Sequence, residues 1–283
     1  MKIKLIADST CDLPEDLLRR HDILVVPLTI AAGDKALKDG VEITPQEIFA
    51  YVESGKGICR TSAVNVAEYT EVYQQERPGC DAIIHFTISA DMSSCYQNAL
   101  VAAQDFDNIF LVDTRNLSMA IGHLVLDAAE MAHKGMAAEE IYHNITQRIS
   151  LLDASFLIDT LEYLHKGGRC TTIQALASSV LKIKPSIIVK DGQMTVSKKY
   201  RGKLENVLRS YISDKLGDKE NIDTRRLLIA DTLKDENRRL LDMVKSLALD
   251  ILPFDEVYTA KAGGTISCHC GPNTVGLFFY RKA

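Results

Sequence analysis

Short polar side chains collect at the ends of apolar runs in this chain. The densest collection is Ser89-Ala90-Asp91-Met92-Ser93-Ser94-Cys95-Tyr96-Gln97. An apolar run of strand length, residues 82–88, precedes it, and a helix-forming pattern over residues 96–105 follows it. A loop between strand and helix aims free backbone N–H groups and small hydroxyls at one spot, with a helix N-terminus behind them. That chemistry suits an anion, a carboxylate or a phosphate. A plainer role stays open, in which Ser93 or Ser94 only caps the helix. Thr61-Ser62, ahead of a helical pattern over residues 66–75, carries the same two readings. Asp8-Ser9-Thr10 and Asp113-Thr114 sit at the carboxyl ends of predicted strands, the edge where open α/β sheets bind ligands.

His269-Cys270-Gly271-Pro272-Asn273 lies near the C-terminus. Gly-Pro predicts a tight turn, and a histidine before it can face a cleft and donate to a carboxylate; an ordinary surface histidine is the alternative. Cys268-His269-Cys270 lacks the second ligand pair of a structural zinc site, so no metal is expected. Lys182, Lys184, Lys190, Lys198, Lys199, Arg201 and Lys203 surround one acid, Asp191. They form either a face that steers an acidic partner or a solvated hairpin surface. There is no Gly-x-Ser-x-Gly elbow around Ser93, no Walker loop, no dinucleotide glycine fingerprint and no His-Glu-x-x-His.

The elements that must position these groups alternate from the start. Strands are predicted over residues 3–7, 24–30, 82–88 and 109–112, with helices over 12–20, 66–75, 96–105, 117–133 and 138–151. Thr44-Pro45 with Glu47 opens a further helix, and residues 31–44 form a polar loop. This is a parallel, doubly wound pattern. Later come short strand and helix signals at 156–158 and 161–164, a helix over 173–181, a hairpin around Asp191-Gly192, and strands over 227–230, 256–260 and 277–280 between helices. Such a mixture predicts a mixed sheet. The expected organisation is an N-terminal α/β domain over residues 1–151 and a C-terminal α/β domain over 152–283, with a ligand site at their interface.

Composition is that of an ordinary soluble protein: 283 residues, 46% hydrophobic and 25% charged. A net charge of -5 argues against general nucleic-acid binding. No run has membrane-spanning length and no signal peptide is evident, which leaves peripheral or transient membrane contact. Seven cysteines, an odd number without an export signal, point to reduced thiols in the cytoplasm.

In order along the chain, Asp8-Ser9-Thr10-Cys11-Asp12-Leu13, Thr61-Ser62, Ser89 to Gln97, Asp113-Thr114, Leu161-Glu162-Tyr163-Leu164, Gly167-Gly168-Arg169, Lys184-Pro185 and His269 to Gly276 resemble the DegV family of fatty-acid-binding proteins. The resemblance implies two α/β domains, no cofactor, and a long-chain fatty acid as ligand. It also implies a carrier that is not itself an enzyme and presents the acyl carboxylate to a separate fatty-acid kinase for acyl phosphate formation. By resemblance Thr61, Ser93 and His269 hold the carboxylate, Ser62 and Ser94 lie nearby, and Arg169 and Arg201 face the kinase. Three departures from the family pattern stand out: Ser94 and Asn273 stand where glycines are usual, and Ala63-Val64-Asn65 replaces Gln-Pro-Ser.

The physics suits such a ligand. Burying roughly a dozen methylenes at ~0.8 kcal/mol each dominates affinity, while hydrogen bonds to a charged head at ~1.5–3 kcal/mol each fix orientation. Phe86, Ile88, Met92, Phe278 and Phe279 are candidates to line the tail, with a plain core role as the alternative. A competing function is an acyl-group hydrolase, with Ser93 as nucleophile, His269 as base and Asp8 or Asp113 as orienter. A sensor of small anions is a third.

Overall fold

The structure is a computed structural model that describes residues 1–170 and 183–282. Its first part runs β1 (Ile3–Asp8), α1 (Glu15–Arg20), β2 (Ile23–Val26), β3 (Thr29–Ala32), β4 (Lys35–Lys38), α2 (Pro45–Glu53), β5 (Arg60–Ser62), α3 (Val66–Glu76), β6 (Ala82–Thr87), α4 (Cys95–Ala102), β7 (Ile109–Asp113), α5 (Met119–His133) and α6 (Ala138–Arg148). It continues with β8 (Leu152–Leu157), α7 (Glu162–Gly167), β9 (Ile183–Lys190), β10 (Gln193–Arg201), α8 (Leu204–Lys215), β11 (Arg226–Asp231), α9 (Arg239–Ile251), β12 (Glu256–Lys261), α10 (Gly264–Cys270) and β13 (Val275–Tyr280).

The fold is α/β with one all-parallel sheet and one mixed sheet. The parallel sheet has the order β2-β1-β6-β7. The six-stranded sheet has the order β10-β9-β8-β13-β11-β12, in which only β11 and β12 pair in parallel. A small antiparallel sheet, β4-β3-β5, stands apart from both.

Three features differ from the sequence-based expectation. The strand expected over 24–30 is two strands in two sheets, because Pro27 supplies no N–H to continue a ladder. The polar stretch after it folds as a hairpin, turned at Gly33 with a φ of 63°. The helix expected from residue 12 begins at Glu15, because Asp12 takes a left-handed conformation (φ 51°) behind a 3-10 turn at Ser9–Cys11. The Thr44 start signal is realised as a capping box: the Thr44 hydroxyl accepts from Glu47 N at 3.4 Å while the Glu47 carboxylate accepts from Thr44 N at 2.8 Å. The helix expected over 173–181, and Lys182, lie outside the described residues.

α5 is the hub. It packs on β1 and β6 from one side and on β8, β11 and β13 from the other, so it is apolar nearly all round, as a helix between two sheets must be. Its two buried polar exceptions are both hydrogen-bonded, although His123 Nδ1 finds no partner among the described residues. His123 Nε2 bonds the carbonyl of Phe278 at 2.9 Å, and burial pushes this imidazole down to about 4. Asp127 accepts from Arg148 at 2.6 Å and Arg226 at 3.0 Å and pairs with Arg225, tying α5 and α6 to β11. Among the described residues no helix is long and apolar enough to cross a membrane.

Candidate functional site

The loop after β6 begins with a fixed point. Asp8, at the end of β1, accepts from the backbone N–H of Ile88 at 3.1 Å and from the Tyr69 hydroxyl at 2.6 Å. Asp113, at the end of β7, accepts from Ala90 N and Arg115 N, each at 3.0 Å. The Ser89 carbonyl then accepts from Met92 N and Ser93 N. Both acids therefore spend their carboxylates on shaping the loop. Ser93 ends up partly buried at its inner bend, with its hydroxyl 3.2 Å from Cys95 Sγ. Ser94 is exposed and makes no side-chain cap. Neither is the simple cap that the alternative reading required, although Ser93 Oγ accepts from Cys95 N at 3.3 Å.

Thr61 and Ser62 are likewise not helix caps. They belong to β5, where Thr61 pairs with Ile30 and Ser62 with Thr29, and Asn65 caps α3 instead. Asn98 of α4 donates to the Val64 carbonyl at 2.7 Å, which fixes the β5 segment against the helix behind Ser93.

His269 lies in the last turn of α10, an element the sequence reading treated as a turn. The helix ends at Gly271, φ 74°, whose missing side chain leaves room for Tyr163: a Cβ there would meet the ring at 2.7 Å. Gly167-Gly168 of the α7 end has a similar logic. Gly168 closes the helix in a left-handed conformation (φ 70°), and a Cβ on Gly167 would collide with His269 Nδ1. The imidazole thus packs closely against Gly167 of α7, and its Nε2 lies 2.8 Å from Thr61 Oγ1. Burial pushes its pKa down to about 4, helped by the Arg169 guanidinium, so the ring is neutral near pH 7. With Nε2–H donating to Thr61, the Thr61 hydroxyl proton is left to point into the cavity.

That cavity, of about 50 Å³, is lined by Thr61, Ser62, Ser93, Arg169 and His269 and by the apolar groups of Leu28, Ile88, Met92, Leu117, Met194 and Ile266. A second, smaller cavity of about 10 Å³ shares Leu117, Ile266 and Cys270 with it and reaches Phe156, Ala262 and Phe278. The three expected head-group residues therefore do meet in one place, drawn from β5, the β6–α4 loop and α10. Ser62 joins them, and Ser94 does not line the cavity. Arg169 does line it, although it was expected on a partner-facing surface; Arg201 lies exposed at the end of β10. Of the tail candidates Ile88 and Met92 line the first cavity and Phe278 the second, while Phe86 and Phe279 are fully buried core. Sequence reasoning missed Leu28, Leu117, Met194 and Ile266, whose apolar character carries no signal that separates lining from core.

The other expectations resolve as follows. Among the described residues a hydrolase triad is not assembled: His269 Nδ1 has no hydrogen-bond partner there, its Nε2 faces Thr61, and Asp8 and Asp113 are engaged elsewhere. Cys268 packs with Ile30, Ile48 and Phe49, whereas His269 and Cys270 line the cavity, so the triplet does not converge. On the basic face, Lys184 pairs with Asp159, and Lys198 pairs with Asp214 at 2.6 Å.

A family model described as an uncharacterised protein of the DegV family matches residues 2–282. The chain belongs to the DegV family. A DegV domain-containing protein of Caldanaerobacter subterraneus subsp. tengcongensis is 32% identical over 283 residues, covering 99% of each chain. Among solved structures, a DegV family protein from Thermus thermophilus described as fatty-acid binding superposes with a TM-score of 0.90 at 30% identity, covering 100% of both chains. A stearic acid-binding protein from Eubacterium ventriosum gives 0.85 at 27% identity, covering 99% of this chain and 98% of the other. The arrangement of one parallel and one mixed sheet is shared with these solved structures.

Proposed function

We propose that this DegV family member binds a long-chain fatty acid, with Thr61, Ser93 and His269 holding the carboxylate and Ser62 beside them. The observation that carries the reading is the convergence of three neutral hydrogen-bonding side chains, from three separate segments, on one end of an apolar cavity. The relatives described as binding fatty acid and stearic acid support it. A carboxylate in an apolar site is costly unless it is hydrogen-bonded. Thr61 and Ser93 supply hydroxyl donors, neutral His269 orients Thr61, and Arg169 adds positive charge at the rim. The tail extends past Leu117 and Ile266 toward Phe278. A cavity of about 50 Å³ holds only a few waters, so side chains such as Met194 and Ile266 move aside when the chain enters. Met194, with three rotatable bonds, is suited to that.

The finer role is a carrier with no turnover of its own, which offers the head group to a separate fatty-acid kinase in the cytoplasm, with Arg169 and Arg201 on the docking face. Supporting it are the unassembled triad and the exposure of both arginines. On the same reading the two units divide at residue 151, just before β8 opens the mixed sheet. Native mass spectrometry with stearate tests the binding: one retained stearate per chain is expected, and no retained mass at saturating ligand contradicts it. Arg201→Glu is expected to retain stearate while lowering kinase-coupled acyl phosphate formation.

A further inference from the structure

α10 carries His269, yet its N-terminus is not held by its own sheet. The backbone N–H of Gly263 donates to Asp12 Oδ1 at 2.7 Å. Gly264 N donates to Asp39 Oδ1 at 2.7 Å and Thr265 N to Asp39 Oδ2 at 3.0 Å. Asp39 is buried, at 3% exposure, and is itself oriented by the Ser9 hydroxyl at 2.9 Å. Asp12 is oriented by the Ser118 hydroxyl at 2.6 Å. Both acids come from the first part of the chain, more than 220 residues away in sequence.

The two glycines are there because the carboxylates are. A Cβ on Gly264 would meet Asp39 Oδ1 at 2.7 Å, with Ile30 and Ile48 as close, and one on Gly263 would meet Asp12 Oδ1 at 3.1 Å. Asp39 alone satisfies two successive donors of a helix start that is closed to water, with both oxygens engaged. α10 has only seven residues, so its start and the imidazole in its last turn move together. Asp39 also follows β4, which pairs with β3, which in turn pairs with β5 and Thr61. One carboxylate thus ties the strand side of the head-group site to the helix side.

We infer that Asp39 is a positioning residue for the head-group site: by clamping the N-terminus of α10 it sets His269 against Thr61. This rests on the fatty-acid reading for its functional consequence, but the placement of His269 is measurable without ligand. Asp39→Asn keeps the shape and one acceptor and places an amide donor against a backbone donor. Ser9→Ala is the milder variant, which removes only the hydroxyl that orients Asp39. Asp153→Asn, which loosens the Arg281 and Lys215 ion pairs and makes no contact with Asp39 or His269, serves as a control for general destabilisation.

The experiment is an NMR titration of the His269 imidazole in ligand-free protein, with stearate affinity measured in parallel. Asp39→Asn is expected to move His269 from about 4 toward its ordinary 6.5 and to weaken stearate binding by a factor on the order of ten. Ser9→Ala should shift both in the same direction by less, and Asp153→Asn should leave both unchanged. A wild-type His269 titration in Asp39→Asn, or equal shifts in Asp153→Asn, overturns the inference; if Asp39→Asn does not fold, a wild-type titration in Ser9→Ala does so. Failure of wild-type protein to bind stearate strikes the fatty-acid reading alone, because the imidazole titration still decides the clamp.

Discussion

Two polar clusters lie at the carboxyl end of the parallel sheet, and they differ in what completes them. In the first, Asp8, Tyr69, His85 and Tyr73 are fully buried and each makes a hydrogen bond within the protein, while His85 Nε2 lies 3.4 Å from Asp8 Oδ1 with no hydrogen bond of its own among the described residues. Tyr69 donates to Asp8 at 2.6 Å, Ile88 N donates to it at 3.1 Å, and the Tyr73 hydroxyl lies 2.7 Å from His85 Nδ1. In the second, Thr61, Ser93 and His269 line a cavity, with Thr61 and His269 2.8 Å apart and the Ser93 hydroxyl bonded only to Cys95 among the described residues. Both contain a histidine and hydroxyls. The closed cluster builds the loop that carries Ser93, and the open one is left with hydrogen-bonding capacity for something from outside. What separates the two is the cavity that the second cluster borders, where a ligand's polar atoms can reach it.

The largest effect expected from this contrast is on stability in the closed cluster. Asp8→Ala strands the Tyr69 hydroxyl and the Ile88 N–H, and chemical denaturation should show a loss of about 3 kcal/mol. Stearate affinity per folded molecule should change little by comparison. In the open cluster the balance reverses. Thr61→Val keeps the shape but removes the hydroxyl, so stearate binding should weaken by ~1.5–3 kcal/mol, while the denaturation midpoint should fall by less than in Asp8→Ala, since one donor, His269 Nε2–H, is stranded rather than two. Equal effects of the two substitutions on both readouts would erase the distinction.

The pH dependence sharpens it further. His269 has a folded pKa of about 4 against an ordinary 6.5, so between these values the unfolded chain binds more protons and stability rises with pH. The contribution is complete above 6.5, disappears as pH falls to 4, and is on the order of 2 kcal/mol for a partly exposed ring. Asp12 works in the opposite sense. Burial, which outweighs its Ser118 and Gly263 hydrogen bonds, raises it to about 7, so its contribution is present below 3.8 and is lost as pH climbs through 7. The two oppose each other between 4 and 6.5. Asp12→Asn should therefore steepen the acid-side loss of stability, and His269→Gln should flatten it, as followed by denaturant midpoints from pH 4 to 7. The smallest effect is expected at Ser94. Ser94→Ala should stay within about 0.5 kcal/mol in stability and leave stearate affinity unchanged, since the side chain neither caps nor lines the cavity.

Much of this molecule is legible in its sequence, and the limits are physical. Period-two and period-3.6 patterns, with the Thr44 capping box, mark most strands and helices because one face of each must be buried. The split between β2 and β3, the β3–β4 hairpin and α10 were not visible. Each is short, and tertiary contacts rather than local preference hold it. The residues proposed to hold a head group could be named through a family resemblance, whereas Asp8 and Asp113 look equally suited to a ligand in sequence. Only their hydrogen bonds to Ile88, Ala90 and Arg115 show that they are spent on the loop. Asp39 gave no signal at all: an acid in a polar stretch looks like any solvated turn until the helix it clamps, 225 residues on, is in place.

The most direct test of the account is carbon NMR of stearate labelled at its carboxyl carbon and bound to the protein. The account predicts a bound carboxyl signal that does not follow the bulk titration of a free acid, and that shifts in both Thr61→Val and His269→Gln. A bound stearate whose carboxyl titrates like the free acid and ignores both substitutions would contradict it.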